Sequence, residues 1–380
     1  MRVASSFSVS SLAFPALIIT RPLSLRDSHP STSRMNPNER VSAIVPARNE
    51  ERTIARVVSS LAEQPEVREI IVINDQSSDA TSAILSRLAR QEPKLRAFET
   101  PALPAGWVGK NHAAWLGAEK ANCEWLLFTD ADAVHLPAST ARALAEAHST
   151  GADLISYSPS QEMHTWWERS LIPCIFCRLS QLYSYGAVND PASPAAAANG
   201  QYLLIRRTVY DQIGGHAAVK DEVLEDVALA RLAKSAGYRL HFAPGEEVCR
   251  VRMYANFRDM WEGWSKNLLP LITWSGQRVT RELLSVMPWI PLVCLAVVPF
   301  LHAPWDAAFV VLGLALLAGR HAGYAGLLRK NRFPLSSVLY YLPGVGLYCA
   351  VLLASDWGYA RGKVVWKGRE YTVAAPARRS

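Results

Sequence analysis

The chain has 380 residues, 50% of them hydrophobic and 19% charged, with a formal net charge of +7. The length corresponds to roughly two to three domains, and the composition excludes a long disordered or collagen-like chain. The positive charge raises nucleic acid or an anionic membrane as partners, while a mean hydropathy of +0.04 suits a soluble domain carrying a membrane segment.

Residues 1–39 are Ser-rich and hold only the weak apolar run LAFPALIIT, too short to span a bilayer. They are expected to be a disordered or mis-assigned extension, with Met35 as the alternative start. Residues 40–260 then alternate strand and helix signals. Val41–Pro46 is a short β-branched run, read as a buried strand. Ile54, Val57, Val58 and Leu61 share one helical face within 50–63. Glu69–Asn74 reads as a second strand, followed by the polar turn Asp75–Asp79, where Asp79 or a serine caps a helix over 80–91. A helix over 110–121 precedes a third strand, Glu124–Thr129. Such alternation predicts a mostly parallel sheet, and ligands of such sheets bind beyond the carboxyl ends of the strands. The polar motifs Ala47-Arg48-Asn49-Glu50, Asp75-Gln76-Ser77-Ser78-Asp79 and Asp130-Ala131-Asp132 all fall there.

Asp130 and Asp132 place two carboxylates just past an apolar strand, where alternate residues can share one divalent cation. Mg²⁺ or Mn²⁺ takes carboxylate and phosphate oxygens together and neutralises a departing diphosphate. Two Asp residues also occur in ordinary turns; the position beyond EWLLFT, beside two other strand-end motifs, favours the cation. Gly109-Lys110-Asn111 opens a helix, with Lys110 a mobile cation for phosphate or an ordinary solvated lysine. Neither GxxxxGK[ST] nor GxGxxG is present, which argues against a P-loop and a dinucleotide fold. Glu225 and Asp226 begin a helix over 225–236 that Gly237 stops. Two acids in a first turn suit the helix dipole; the sharper reading makes one of them a general base. The six cysteines do not form a disulfide framework, and the lone Cys174/Cys177 pair is expected to be buried free thiol.

Taken together, Val45-Pro46-Ala47-Arg48-Asn49-Glu50, Val72 to Thr81, Gly109-Lys110, Asp130-Ala131-Asp132 and Glu225-Asp226 resemble family 2 glycosyltransferases over about 41–267. The resemblance implies an α/β GT-A fold, a Rossmann-like mixed sheet, with an NDP-sugar donor (a UDP-sugar foremost), a divalent metal and inversion at the anomeric carbon. It implies donor-binding roles for Pro46, Ala47, Asn49, Glu50, Asp75, Lys110, Asp130, Ala131 and Asp132, with Asp132 the foremost metal ligand and Asp130 beside it. Asp226 would be the catalytic base on an acceptor hydroxyl, supported by Glu225; an acceptor carboxylate or phosphate, already ionised, would need it less. Asn199-Gly200-Gln201 through Arg206 resembles the stretch near sugar and acceptor. The QxxRW motif of processive members is absent. Arg258 to Asn267 and Trp366 to Tyr371 look more like membrane-bound glycosyltransferases of carotenoid and hopanoid pathways, implying transfer of one sugar to a lipid. Rival readings are a polyprenyl-phosphate glycosyltransferase and a non-catalytic sugar-binding membrane component.

Two segments mix aromatic and aliphatic residues with a few charges: His164–Tyr185 and Trp261–Trp274. Each either lies in the bilayer interface and leads an apolar acceptor towards Asp226, or packs the domain on its own membrane helices. Trp261, Trp264 and Lys266 are therefore candidates for acceptor or diphosphate binding, and the resemblance implies the same for Gly200 and Gln201. Residues 261–282 are assigned as an interfacial amphipathic segment and 283–356 as two to three transmembrane helices. No charge stands from 283 to 305, and a second and a third apolar run cover 306–319 and 335–355. A bilayer core of about 30 Å takes about 20 helical residues. Pro288, Pro291 and Pro299 are candidate breaks in the first run, as is Pro343-Gly344-Val345-Gly346 in the third. The basic loop 320–332 should be cytoplasmic, and the N-terminal domain with it; three full crossings would put the basic tail 357–380 outside, so one run is re-entrant or interfacial. Residues 320–380 hold ten Lys/Arg against two Asp/Glu. The charge thus belongs to the membrane-flanking end, and the expectation is a multi-pass protein of a bacterial-type inner membrane with a cytoplasmic catalytic domain and no nucleic-acid partner.

Overall fold

A computed structural model describes residues 39–366 and 369–372. The expectations for residues 1–38, including a start at Met35, and for Lys367, Gly368 and 373–380 lie outside the described residues.

The first half alternates as the β-branched runs dictate: β1 (Val41–Ala47), α1 (Ile54–Ala62), β2 (Val67–Asn74), α2 (Thr81–Leu88), β3 (Leu95–Glu99), α3 (Gly109–Lys120) and β4 (Trp125–Phe128). β1 pairs in parallel with β2 and β4, and β2 with β3. Helix α1 starts later than its apolar period suggests, because 51–53 make a turn in which Thr53 Oγ1 donates to Glu50 Oε2 at 3.0 Å. Asp79 Oδ1 accepts the Thr81 N–H at 3.0 Å, at the head of α2. β3 has no clear signal in the sequence, since LRAFE buries little beyond Leu95.

The chain then crosses to the far edge and works back through β5 (Ala133–His135), α4 (Ser139–Thr150), β6 (Leu154–Gln161), α5 (Trp166–Leu182), α6 (Tyr185–Asn189), β7 (Leu203–Arg206), α7 (Arg207–Gln212), α8 (Glu225–Ser235) and β8 (Leu240–Val251). The eight-stranded sheet has the order β3-β2-β1-β4-β7-β6-β8-β5. β7 runs antiparallel to both β4 and β6, so the sheet is mixed. One apolar cluster around Val57, Leu61 and Val72 and another around Ile44, Ile71 and Leu126 give the sheet two packed cores.

The remainder is α9 (Phe257–Trp274), α10 (Val279–Val286), α11 (Trp289–Val297) continued by a 3₁₀ turn to Phe300, α12 (Trp305–Lys330), a 3₁₀ turn (Leu335–Tyr340), α13 (Tyr341–Ala360) and the hairpin β9 (Lys363–Trp366) and β10 (Arg369–Thr372). Helix α5 opens with a capping box, Thr165 to Glu168. Its Trp167, Leu171, Cys174, Ile175 and Cys177 are buried with Trp264 and Leu268 of α9 and Tyr348 and Leu352 of α13. The aromatic segments thus pack on the C-terminal helices, and Cys174 and Cys177 are buried free thiols. Gly344 brings α13 against the Ser170 carbonyl of α5, where a Cβ would collide. Pro270 leaves the Lys266 carbonyl without its helical partner; Tyr359 OH donates to it at 2.9 Å.

Trp305–Lys330 and Leu335–Ala360 are each long and apolar enough to cross a membrane. The first apolar run is not one straight span. It breaks at Pro288, and Val279–Val286 and Trp289–Phe300 meet at 62°. Arg320 of α12 covers the break, donating to the Ser285 and Val286 carbonyls at 3.2 and 2.8 Å.

Candidate active site

The carboxyl ends of β1, β2 and β4 converge, as parallel strands require. Arg48, just past β1, donates to the Asp75 and Gln76 carbonyls at 2.7 and 3.2 Å. Asp75 is buried at the end of β2, and Thr100 Oγ1 donates to its Oδ1 at 3.2 Å. Pro46, Ala47, Arg48, Glu50 and Asp75 line a cavity of about 170 Å³ together with Lys110, Asp130, Ala131, Asp132, Gln201 and Lys266. Asn49 does not line it. With φ of 54°, Asn49 accepts the Ser78 N–H at 2.9 Å and donates its own to Ser77 Oγ at 2.9 Å. It clips the loop after β1 to the loop after β2.

Asp130 and Asp132 stand in a turn rather than on an extended strand, because the Ala133 N–H closes on the Asp130 carbonyl at 3.2 Å. Both still face the cavity. Lys110, in the first turn of α3, is 2.6 Å from Asp130 Oδ1 and 2.6 Å from Glu225 Oε1. Burial disfavours its charge, but Asp130, Glu225 and Asp226 outweigh that and raise its pKa well above the ordinary lysine value.

Asp226 is held differently. Its Oδ2 accepts the Gly200 N–H at 2.7 Å and its Oδ1 the Val227 N–H at 2.8 Å. Burial and then the adjacent Glu225 charge push its carboxyl well above the usual range, against the opposing pull of Lys110 and those two N–H groups. A Cβ at Gly200 would press on Lys110 Nζ at 3.0 Å and reach ordinary contact with Asp226 Oδ2 at 3.5 Å. Gln201 is buried, and its carbonyl accepts from Thr129 Oγ1 at 2.8 Å, which ties the 199–201 turn to the end of β4.

A second cavity of about 180 Å³ holds Gly200, Glu225 and Asp226 and shares Lys110, Asp130, Gln201, Met253, Lys266 and Asn267 with the first. Trp264 lines it, whereas Trp261 does not; Trp261 packs its ring 6.1 Å from Phe257 and beside the α5–α9 cluster. Burial lowers the Lys266 ammonium to about 8, partly offset by Glu225. The sequence reading omitted Met253, Tyr254 and Asn267, which reach the cavities from the end of β8 and from α9. No motif marks them, and only the topology delivers them.

A divalent cation fits the donor set. Asp130 and Asp132 are hard oxygen ligands on one cavity. Among the described residues no group of three or more His, Cys, Asp or Glu forms a cation site, so a diphosphate and water would complete the shell, the usual habit of Mg²⁺.

Comparison with known proteins is consistent with this geometry. Residues 42–225 match the family model described as "Glycosyl transferase family 2". A 4,4'-diaponeurosporenoate glycosyltransferase of Staphylococcus aureus (strain MRSA252) is 24% identical over 399 residues, covering 98% of each chain. The solved structure of the mannosyltransferase PcManGT from Pyrobaculum calidifontis, in complex with GDP-Man and Mn²⁺, aligns with a TM-score of 0.50 at 20% identity, over 85% of this chain and 88% of that one.

Proposed function

We propose that the chain, whose residues 42–225 match the glycosyl transferase family 2 model, is a glycosyltransferase that moves one sugar, with inversion, from an NDP-sugar to a lipid-like acceptor at a membrane. The acceptor class is a carotenoid, hopanoid or related lipid, and the donor a UDP-sugar foremost. The carotenoid-acid glycosyltransferase that matches nearly the whole chain supports the acceptor class.

One observation carries the reading: the cavity of Asp75, Asp130, Asp132 and Lys110 adjoins the cavity of Asp226, with Lys110, Asp130, Gln201 and Lys266 lining both. Nucleoside and diphosphate occupy the first, and the anomeric carbon lies at the junction. Pro46, Ala47, Glu50 and Asp75 wall the nucleoside. Asp130 and Asp132 would hold Mg²⁺ or Mn²⁺, which supplies charge neutralisation for the departing diphosphate. Lys110 adds a second positive charge there, held in place by Glu225. Asp226 waits on the acceptor side, its rotamer fixed by Gly200 and Val227. As the acceptor oxygen bonds to the anomeric carbon, the glycosyl–phosphate bond breaks and any proton on that oxygen passes to Asp226.

For the membrane, α11 and α12 form a hairpin whose large apolar side chains face outward, among them Ile290, Val293, Phe300, Val311 and Leu312. The far end of α12 returns to the catalytic domain, where Arg332 pairs with Glu246. Helix α13 lies against α5 and α9 and is partly buried there. We read this arrangement as holding the basic end of α12, Arg329 to Arg332, and residues 361–366 on the side of the catalytic domain. That accords with a cytoplasmic face of a bacterial-type inner membrane.

The test is mass spectrometry of lipids from cells with and without the protein, joined to labelled-sugar transfer by the purified enzyme from UDP- and GDP-hexoses. A new glycolipid and matching transfer are expected. Nucleotide binding with neither glycolipid nor transfer would leave a sugar-binding component instead.

A further inference from the structure

The second cavity is not polar throughout. Opposite Gly200 and Asp226 its wall is Phe176 and Leu179 from α5, Trp264 and Leu271 from α9, and Val223. An apolar wall directly beside buried charged groups strengthens their fields, yet it gives a sugar or a nucleotide nothing to bond. Nucleotide and diphosphate have the first cavity, where carboxylates, lysines and backbone polar groups converge. The apolar wall therefore serves a ligand the donor does not supply.

Two features fit this wall to a chain-like apolar group. Phe176 meets Trp264 edge to face, with ring centroids 6.0 Å apart and planes at 90°, a rigid pair rather than a yielding surface. Both rings stand on helices that pack against α13. The slot thus has the Asp226 cavity on one side and, through α5 and α9, the α13 cluster on the other.

We propose that the slot between α5 and α9 is the binding site for the apolar segment adjoining the acceptor's reacting oxygen, and that Phe176 and Leu271 set which acceptors enter. This rests on the lipid-acceptor reading above and assigns its recognition to residues outside the family-matched motifs. Phe176 and Leu271 touch neither nucleotide nor reacting atoms. They select by shape and burial, with the acceptor oxygen delivered to the Asp226 side of the junction.

The experiment fills the slot without touching the donor cavity. Full-length F176W and L271W are compared with wild type for glycolipid made in cells, by mass spectrometry, and for UDP and GDP binding to the purified proteins, by calorimetry. Overfilling a close-packed slot is expected to cut glycolipid below about a tenth of wild type, with nucleotide affinity kept within about twofold. F176L, which retains apolar bulk, is expected to restore most of the transfer. The proposal is overturned if both tryptophan variants make glycolipid at the wild-type level. It is equally overturned if they lose nucleotide binding along with transfer, since that marks a folding defect or a donor role. Absence of any glycolipid from the wild type is a failure of the functional reading itself, and the acceptor slot falls with it.

Discussion

Glu225 and Asp226 are neighbours in one helical turn, but they answer to different partners. Glu225 is bonded to Lys110 at 2.6 Å, whereas Asp226 accepts from the backbone N–H groups of Gly200 and Val227. The pair divides into a residue that holds a cation for the donor and a residue that faces the acceptor.

E225Q should therefore act first on the donor. Removing the charge loosens Lys110, but Asp130 still holds it at 2.6 Å, so the effect is modest, a rise in NDP-sugar KM of roughly fivefold. A variant that lost kcat at unchanged donor KM would place Glu225 in the chemical step instead.

D226N should lower kcat by roughly 10²- to 10⁴-fold towards an acceptor hydroxyl, with nucleotide affinity unchanged. Turnover near the parent rate would remove Asp226 as base.

The pH dependence has a definite sign. A base acts deprotonated, and burial with the Glu225 charge raises the Asp226 carboxyl above its ordinary value. The acid limb of kcat/KM should accordingly lie above the usual carboxylate range, with activity gained as pH rises through it. E225Q removes the like charge, so the same limb should move to lower pH. The limb in E225Q staying where it is in wild type would exclude that coupling.

D132A should weaken Mn²⁺ binding in the presence of nucleoside diphosphate at least about tenfold, as loss of a hard-cation ligand requires. Direct Mn²⁺ titration reads this without turnover, and equal affinity in D132A and wild type would exclude Asp132 as a ligand.

Glu282 is fully buried and takes two bonds from Arg178, at 2.7 and 2.6 Å, and one from Tyr348 at 2.6 Å. It joins α10 to α5 and α13. E282A leaves a half-buried guanidinium without its carboxylate and should destabilise the protein by about 1–3 kcal/mol, read as a lowered melting temperature in detergent. An unchanged Tm would mean that the helices hold without it.

The parts of the site legible in the sequence were those carried by local pattern. The apolar runs of β1, β2 and β4 announce buried parallel strands, and such strands put Asp75, Asp130 and Asp132 at one rim. Lys110 and Asp226 stood at helix starts, where charge is common, so the residues alone left them ambiguous. What stayed hidden depends on chain crossing. Gly200 meets Asp226 only because β7 runs antiparallel to β4, and Met253 reaches the cavities only from the end of β8. The bond between Asn49 and the loop after β2 was equally hidden, since it depends on a left-handed backbone at Asn49 that turns the side chain towards Ser78. In the first apolar run Pro288 was visible as one of several breaks; the guanidinium of Arg320 that covers it comes from the next helix.

The hydrogen bond from Tyr359 to the carbonyl released by Pro270 has a practical consequence. It anchors the turn that bears Lys266, a wall of both cavities, to the last helix of the chain. A truncation after α9, made to obtain a water-soluble enzyme, would expose the apolar faces of α5 and α9 and unfasten that lysine. Purification in a detergent or nanodisc is the route to an enzyme whose kinetics mean anything.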